Sequence, residues 1–231
     1  MTAVLPAYTV KISARARRIS LRVSRATGLV VTVPQGYDTR RLPGVLTEKL
    51  EWIQSALERV SKEPAPVEKT VPRNLQLRAI GQTWQIHLVA TTGSRVTLKE
   101  KGFGNLEIRG QVTDSSAVTR AIKAWLKRVA QSTLPEWLER ISQQTGLRYN
   151  ALSIRDQRTR WGSCSAAGNI SLNMKLLLLP PELVEYVLVH ELCHTRVMSH
   201  SRKFWQLVES YYPRWQTARK ELRETGKRLP F

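Results

Sequence analysis

Polar and apolar positions alternate along the first part of the chain. Residues 8–13, 19–24 and 29–33 repeat with period two, the mark of half-buried strands. Ala26-Thr27-Gly28 supplies a turn into the third run and Pro34 ends it, so a strand meander is expected. From Asp38 or Thr39 the period lengthens. Leu42, Val45, Leu46, Leu50, Ile53 and Leu57 fall near helical spacing, with Trp52 beside the stripe. Residues 61–72 are Pro-rich and charged and read as a flexible connector. Period two returns at 75–80, 83–89, 95–99 and 106–109, with a hairpin turn at Gly102-Phe103-Gly104-Asn105. A histidine in the second of these runs, His87, reads as a core residue with a satisfied hydrogen bond.

From Asp114 the pattern is helical again. Ala117, Ala121, Ile122, Trp125, Leu126 and Val129 form the stripe, and Asp114 or Ser115 is the candidate cap. Pro135 is expected to start a second helical piece over 136–144, closed by Gly146. Short strands follow at 152–155, 160–165 and 169–173, around a turn at Ala166-Ala167-Gly168. Pro180-Pro181 opens an apolar helix, with Glu182 and Glu185 near its positive end.

That helix carries His190-Glu191-Leu192-Cys193-His194, and His200 lies six residues beyond. Three of the chain's 4 histidines are therefore clustered here. Residues four apart on a helix are offset by about 40°, so His190 and His194 can face one ion. Glu191 lies about 60° round the helix from His194, beside that pair, where a carboxylate can take a proton from attacking water and return it to a leaving group. On a continuous helix His200 would sit about 240° from His194, so the chain must leave the helix between Thr195 and Ser199 for it to join. Ser199 or Ser201 is then placed to cap a following helix over 202–212. The competing third ligand is a later carboxylate, Glu209 or Glu221. Three protein ligands leave tetrahedral zinc one open position, the catalytic pattern.

Composition narrows the remaining choices. The chain has 231 residues, enough for one large or two small domains. No apolar run approaches a membrane span and the first residues lack a secretory signal, so a cytoplasmic protein is expected. Two cysteines, Cys164 and Cys193, make no disulfide framework and read as reduced thiols. The formal net charge is +19, which attracts polyanions. Arg15, Arg17, Arg18, Arg22 and Arg25 crowd the first strands, the best candidate footprint for nucleic acid.

Two blocks together resemble a known family. His190-Glu191-Leu192-Cys193-His194 with His200 and Phe204-Trp205, and upstream Arg160-Trp161-Gly162-Ser163-Cys164-Ser165 with Gly168 to Asn173, are similar to the YgjP-like metallopeptidase domain. That family is related to the SprT-like and WLM zinc proteases. The resemblance is strongest over residues 152–215. It implies a zincin fold, Zn²⁺ on His190, His194 and His200, and Glu191 as general base. The metzincin pattern would place Gly at position 197, where this chain has Val197, so the turn must be made by other means.

The expectation is an α+β protein. A strand-rich basic region over 1–110, with one helix and the connector near 61–72, precedes a zincin-like metallopeptidase domain over 111–231. The expected activity is a zinc-dependent endopeptidase that hydrolyses a peptide or protein substrate, with proteins associated with nucleic acid as the narrower expectation. Tyr211, Tyr212 and Arg160 are candidates for oxyanion stabilisation. Two alternatives stand beside it: a metal-dependent hydrolase of nucleotides or other non-peptide substrates, and a nucleic-acid-binding module with structural zinc. Against the second, structural zinc takes four protein ligands, and Cys193 lies about 100° round the helix from His194.

Overall fold

The computed structural model describes residues 5–25, 27–62, 71–226 and 229–230. It is a mixed α+β structure in two compact units, Met1–Glu68 and Lys69–Phe231. The connector read at 61–72 falls mostly outside the described residues, as does Ala26 of the first turn.

In the first unit, β1 (Tyr8–Ser13), β2 (Ser20–Ser24) and β3 (Gly28–Pro34) form one sheet. They are not a meander. The order is β1-β3-β2, with β1 parallel and β2 antiparallel to β3. β3 has the most apolar inward face, and the central place buries it. Leu29, Val31 and Val33 are buried against Leu42, Leu46 and Ile53 of α1 (Leu42–Glu48) and α2 (Leu50–Lys62). Trp52 stays largely exposed, and so do Val10 and Ile12, although β1 alternates as a strand should.

The second unit opens with a four-stranded sheet: β4 (Asn74–Leu77), β5 (Gln82–Ala90), β6 (Thr97–Glu100) and β7 (Asn105–Gly110). Its order is β4-β5-β7-β6. The expected hairpin joins β6 and β7. His87 sits 3.1 Å from the Asn105 side chain and makes the expected hydrogen bond, but it is exposed rather than in the core, because it points to the face of β5 opposite Trp84 and Ile86.

α3 (Ser115–Thr145) follows as one helix. Asp114 caps it, its carboxylate accepting from the Ser116 and Ala117 amides, each at 2.9 Å. Pro135 does not begin a separate helix but lies inside this one. Proline removes only the bond to the carbonyl of Gln131, which lies on the exposed side. The buried stripe on both sides of it, Trp125, Leu126, Ala130, Leu134, Leu138 and Ile141, holds the helix straight through. Gly146 ends it in the left-handed conformation, φ 69°.

A second small sheet holds β8 (Ala151–Arg155), β9 (Gly162–Cys164) and β10 (Asn169–Asn173) in the order β8-β10-β9. α4 (Pro181–Cys193), α5 (Arg202–Tyr211) and α6 (Trp215–Gly226) complete the unit. Side chains of β4, β5 and β7 share one hydrophobic core with α3, α4 and α5. The second unit therefore begins well before residue 111. Among the described residues no helix is long and apolar enough to cross a membrane.

Candidate metal centre

α4 is buried almost all round: Leu183, Val184, Tyr186, Val187, Leu188, Val189 and Leu192 are all in the core. In this apolar helix the polar residues of the last turn stand out. His190 and Glu191 lie in that turn, and His194 is the C-cap. The chain then turns. Thr195 N–H donates to Leu192 O at 3.0 Å and Val197 N–H to Cys193 O at 3.0 Å. Among the described residues only glycines have positive φ, so Val197 needs no left-handed backbone to make the bend. α5 restarts after Ser201, which stands at the N-cap without accepting a hydrogen bond through its side chain.

This bend returns His200 to the pair on α4. Ligand nitrogens of His190, His194 and His200 all lie within 4.8 Å of one another. His190 Nε2 and His200 Nε2 are 3.2 Å apart. Nitrogens bound to one tetrahedral zinc are about 3.3 Å apart, so the spacing fits. An all-imidazole donor set also suits zinc among the biological divalent ions, with copper, iron and nickel as competitors. Neither Glu209 nor Glu221 joins this group. His194 Nδ1 lies 3.2 Å from Val197 O, which orients the ring and leaves Nε2 to face the cluster.

Aromatic rings fix the three imidazoles. Phe204, fully buried on α5, stacks on His194 at 4.3 Å between centroids. Trp205 stacks on His200 at 5.6 Å, and Trp215 stacks behind Trp205 at 4.2 Å. The Arg219 guanidinium lies 5.0 Å over the Trp205 ring. Burial, then the charges of His194, His200 and Arg219, hold the His190 pKa down at about 3. His190 is thus neutral, the form that ligates metal.

Glu191 is 5 % exposed, and its Oε2 has no hydrogen-bond partner. Burial pushes its pKa up to about 8, while the charge of Arg160 pulls it down. A dication beside it would pull it down further. The carboxylate fits only because residue 162 is glycine. A Cβ there would lie 2.6 Å from Glu191 Cγ and Oε1. The sequence points to Gly162 only as part of a motif; the close approach between β9 and α4 is a through-space fact.

Asn173 sets the position of Gly162. Its side-chain amide donates to Gln157 O and Arg160 O, both at 2.9 Å, and its backbone N–H to Trp161 O at 2.8 Å. These bonds fasten the β8–β9 loop over the end of α4. A cavity of about 240 Å³ results, lined by Arg160, Trp161, Gly162, Tyr186, His190 and Glu191 among others. Of the oxyanion candidates, Arg160 borders this cavity. Tyr212 instead donates its hydroxyl to Glu182 O at 3.0 Å, and Tyr211 does not line it. Tyr186, not singled out by the sequence, does. Cys164 and Cys193 are both unpaired thiols.

No curated protein matches the sequence. Two crystal structures of metallopeptidase zymogens are similar over part of it. Abylysin from Pyrococcus abyssi is 26% identical, with a TM-score of 0.37, over 40% of this chain and 94% of its own. Jannalysin from Methanocaldococcus jannaschii is 20% identical, with a TM-score of 0.35, over 41% and 96%. The model of the YgjP-like metallopeptidase domain matches residues 17–225, nearly the whole chain and both of its compact units. The chain belongs to the YgjP-like metallopeptidase domain family, a family whose name implies a divalent metal and peptide or protein substrates.

Proposed function

We propose that the protein is a zinc-dependent endopeptidase, with zinc held by His190, His194 and His200 and Glu191 as general base. The observation that carries this reading is the convergence of three imidazoles beside a buried carboxylate whose Oε2 has no hydrogen-bond partner among the described residues. When bound, the cation polarises the scissile carbonyl and acidifies the attacking water. Glu191 accepts that water's proton and delivers it to the departing amine. The tight fit against Gly162 holds the carboxylate in one orientation for both transfers. Arg160, whose charge reaches Glu191, is positioned to stabilise developing negative charge on the carbonyl oxygen. Phe204 and Trp205 keep the imidazole rings in register and exclude water from their far sides. A reducing, cytoplasmic setting suits the two free cysteines.

The test is metal content and peptide hydrolysis on one preparation. The reading expects about one zinc per chain, cleavage of an unstructured protein such as casein, and no cleavage by Glu191→Gln with its zinc retained. Hydrolysis of nucleoside triphosphates lost with Glu191, without peptide cleavage, would replace it with the nucleotide alternative.

Association of the substrate with nucleic acid has its own support. Lys11 and Arg22 flank β3 on the face away from Leu29, Val31 and Val33, and Arg15, Arg17 and Arg18 are exposed in the neighbouring turn. Replacing Lys11 and Arg22 together by Glu is expected to weaken duplex DNA binding roughly tenfold at physiological salt, a modest loss for two phosphate contacts. No binding by the parent protein in a gel shift would remove this part of the reading.

A further inference from the structure

The cavity beside Glu191 shares part of its wall with a second space. Arg160, Trp161 and Leu222 also line a much larger groove of about 1050 Å³. That is at the top of the range of about 300–1,000 Å³ usual for small-molecule sites. The catalytic cavity alone is far smaller, so an occupant that reaches Glu191 has its bulk in the groove.

The groove's walls are strongly biased in charge. Among the described residues Lys123, Arg158, Arg160, Lys175 and Arg223 line it, against one carboxylate, Asp156. Asp156 is already engaged by both lysines, at 2.9 Å from Lys123 and 3.5 Å from Lys175. Among the described residues no carboxylate lies within 4 Å of the guanidinium of Arg158, Arg160 or Arg223. A protein usually answers a cluster of this kind with acidic neighbours; here three planar, two-pronged donors face a concave space whose walls concentrate their field.

We propose that this groove binds an acidic stretch of the peptide substrate, so that the enzyme prefers bonds with Asp or Glu within a few residues. The inference rests on the peptidase reading, and it adds the substrate class. Guanidinium groups take carboxylates bidentately, with geometric selectivity. Trp161 and Leu222 border both the groove and the cavity with Glu191, so an extended peptide lying across them touches both. A nucleic acid strand is the poorer match. Among the described residues the groove offers one aromatic ring, Trp161, for base stacking.

The experiment separates binding from cleavage. Full-length, zinc-loaded Glu191→Gln is titrated with fluorescent peptides that differ only in Asp/Glu against Asn/Gln, read by anisotropy. The same pairs are given to the parent enzyme for kcat/KM. The acidic member should bind, and be cleaved, about five- to tenfold better at low salt, as expected for one or two charge pairs in a concave site, with the advantage shrinking as salt rises. Arg158→Glu/Arg223→Glu should abolish or invert the ratio, and Arg158→Gln/Arg223→Gln should bring it near one if charge reversal disturbs folding. Equal binding of both members, or a ratio unchanged in a folded variant, overturns the proposal. So does a single-stranded oligonucleotide that binds in place of either peptide while the peptides show no preference. Acidic preference in binding without any hydrolysis by the parent would uphold the groove and sink the peptidase reading alone.

Discussion

Two three-stranded sheets in this protein share one topology. In both, the third strand in sequence is central, the first pairs with it in parallel and the second antiparallel. In the first unit the loop between the outer strands carries Arg15, Arg17 and Arg18 to the surface, all exposed. In the second unit the equivalent loop carries Arg160 and Trp161 to the cavity beside His190 and Glu191 and leads into Gly162. The difference comes from what lies beneath. The buried Asn173 ties the second loop down through two carbonyls, and the end of α4 approaches Gly162 within the space of a missing side chain. A common sheet plan becomes a catalytic wall where a buried amide and a glycine make one loop rigid against a helix.

Mutations can break that contrast in order of severity. Glu191→Gln should cut kcat by about 10²–10⁴-fold, the usual share of a general base, with thermal unfolding little changed. A variant that keeps full activity would show that the wall serves packing only. Gly162→Ala should cost about 10²-fold in kcat, because its methyl group would displace the carboxylate, while zinc content stays at the parent value. Ala substitution at Gly28 of the other sheet, where nothing lies within 4 Å, should leave kcat unchanged and act only through its φ of 60°. Asn173→Ala leaves two loop carbonyls without their donor and should destabilise the second unit by about 1–3 kcal/mol in urea unfolding, with kcat falling as the loop loosens.

The smallest effect concerns pH. Burial raises the Asp156 pKa, but the hydrogen bond and charge of Lys123, with those of Lys175, outweigh it and hold the carboxyl below its usual value. A depressed folded pKa stabilises at neutral pH and ceases to do so as pH falls through it, below about 4. The side chain is 37% exposed, so Asp156→Asn should cost no more than about 1 kcal/mol at pH 7 and flatten the acid limb of a urea-midpoint profile.

Much of this was legible in the chain because it is local. The alternation of Leu29, Val31 and Val33 foretells a half-buried strand, and the four-residue spacing of His190 and His194 places them on one helix face. The expected bend before His200 is also found, and it is made by ordinary turn hydrogen bonds without a glycine at 197. What escaped depends on distant partners. β3 slips between β1 and β2 because its face is the most apolar, which no single strand reveals. Pro135 sits inside α3 because core side chains on both sides outweigh one missing hydrogen bond. The seat for Glu191 and the groove of arginines are made by segments that meet only in the fold.

X-ray absorption at the zinc edge, on the protein loaded with one equivalent of zinc, tests the central claim most directly. The account predicts three imidazole nitrogens at about 2.0–2.1 Å, plus a light atom and no sulfur, with one imidazole lost in His200→Ala. Sulfur scattering at about 2.3 Å, or a spectrum unaltered by His200→Ala, would contradict it.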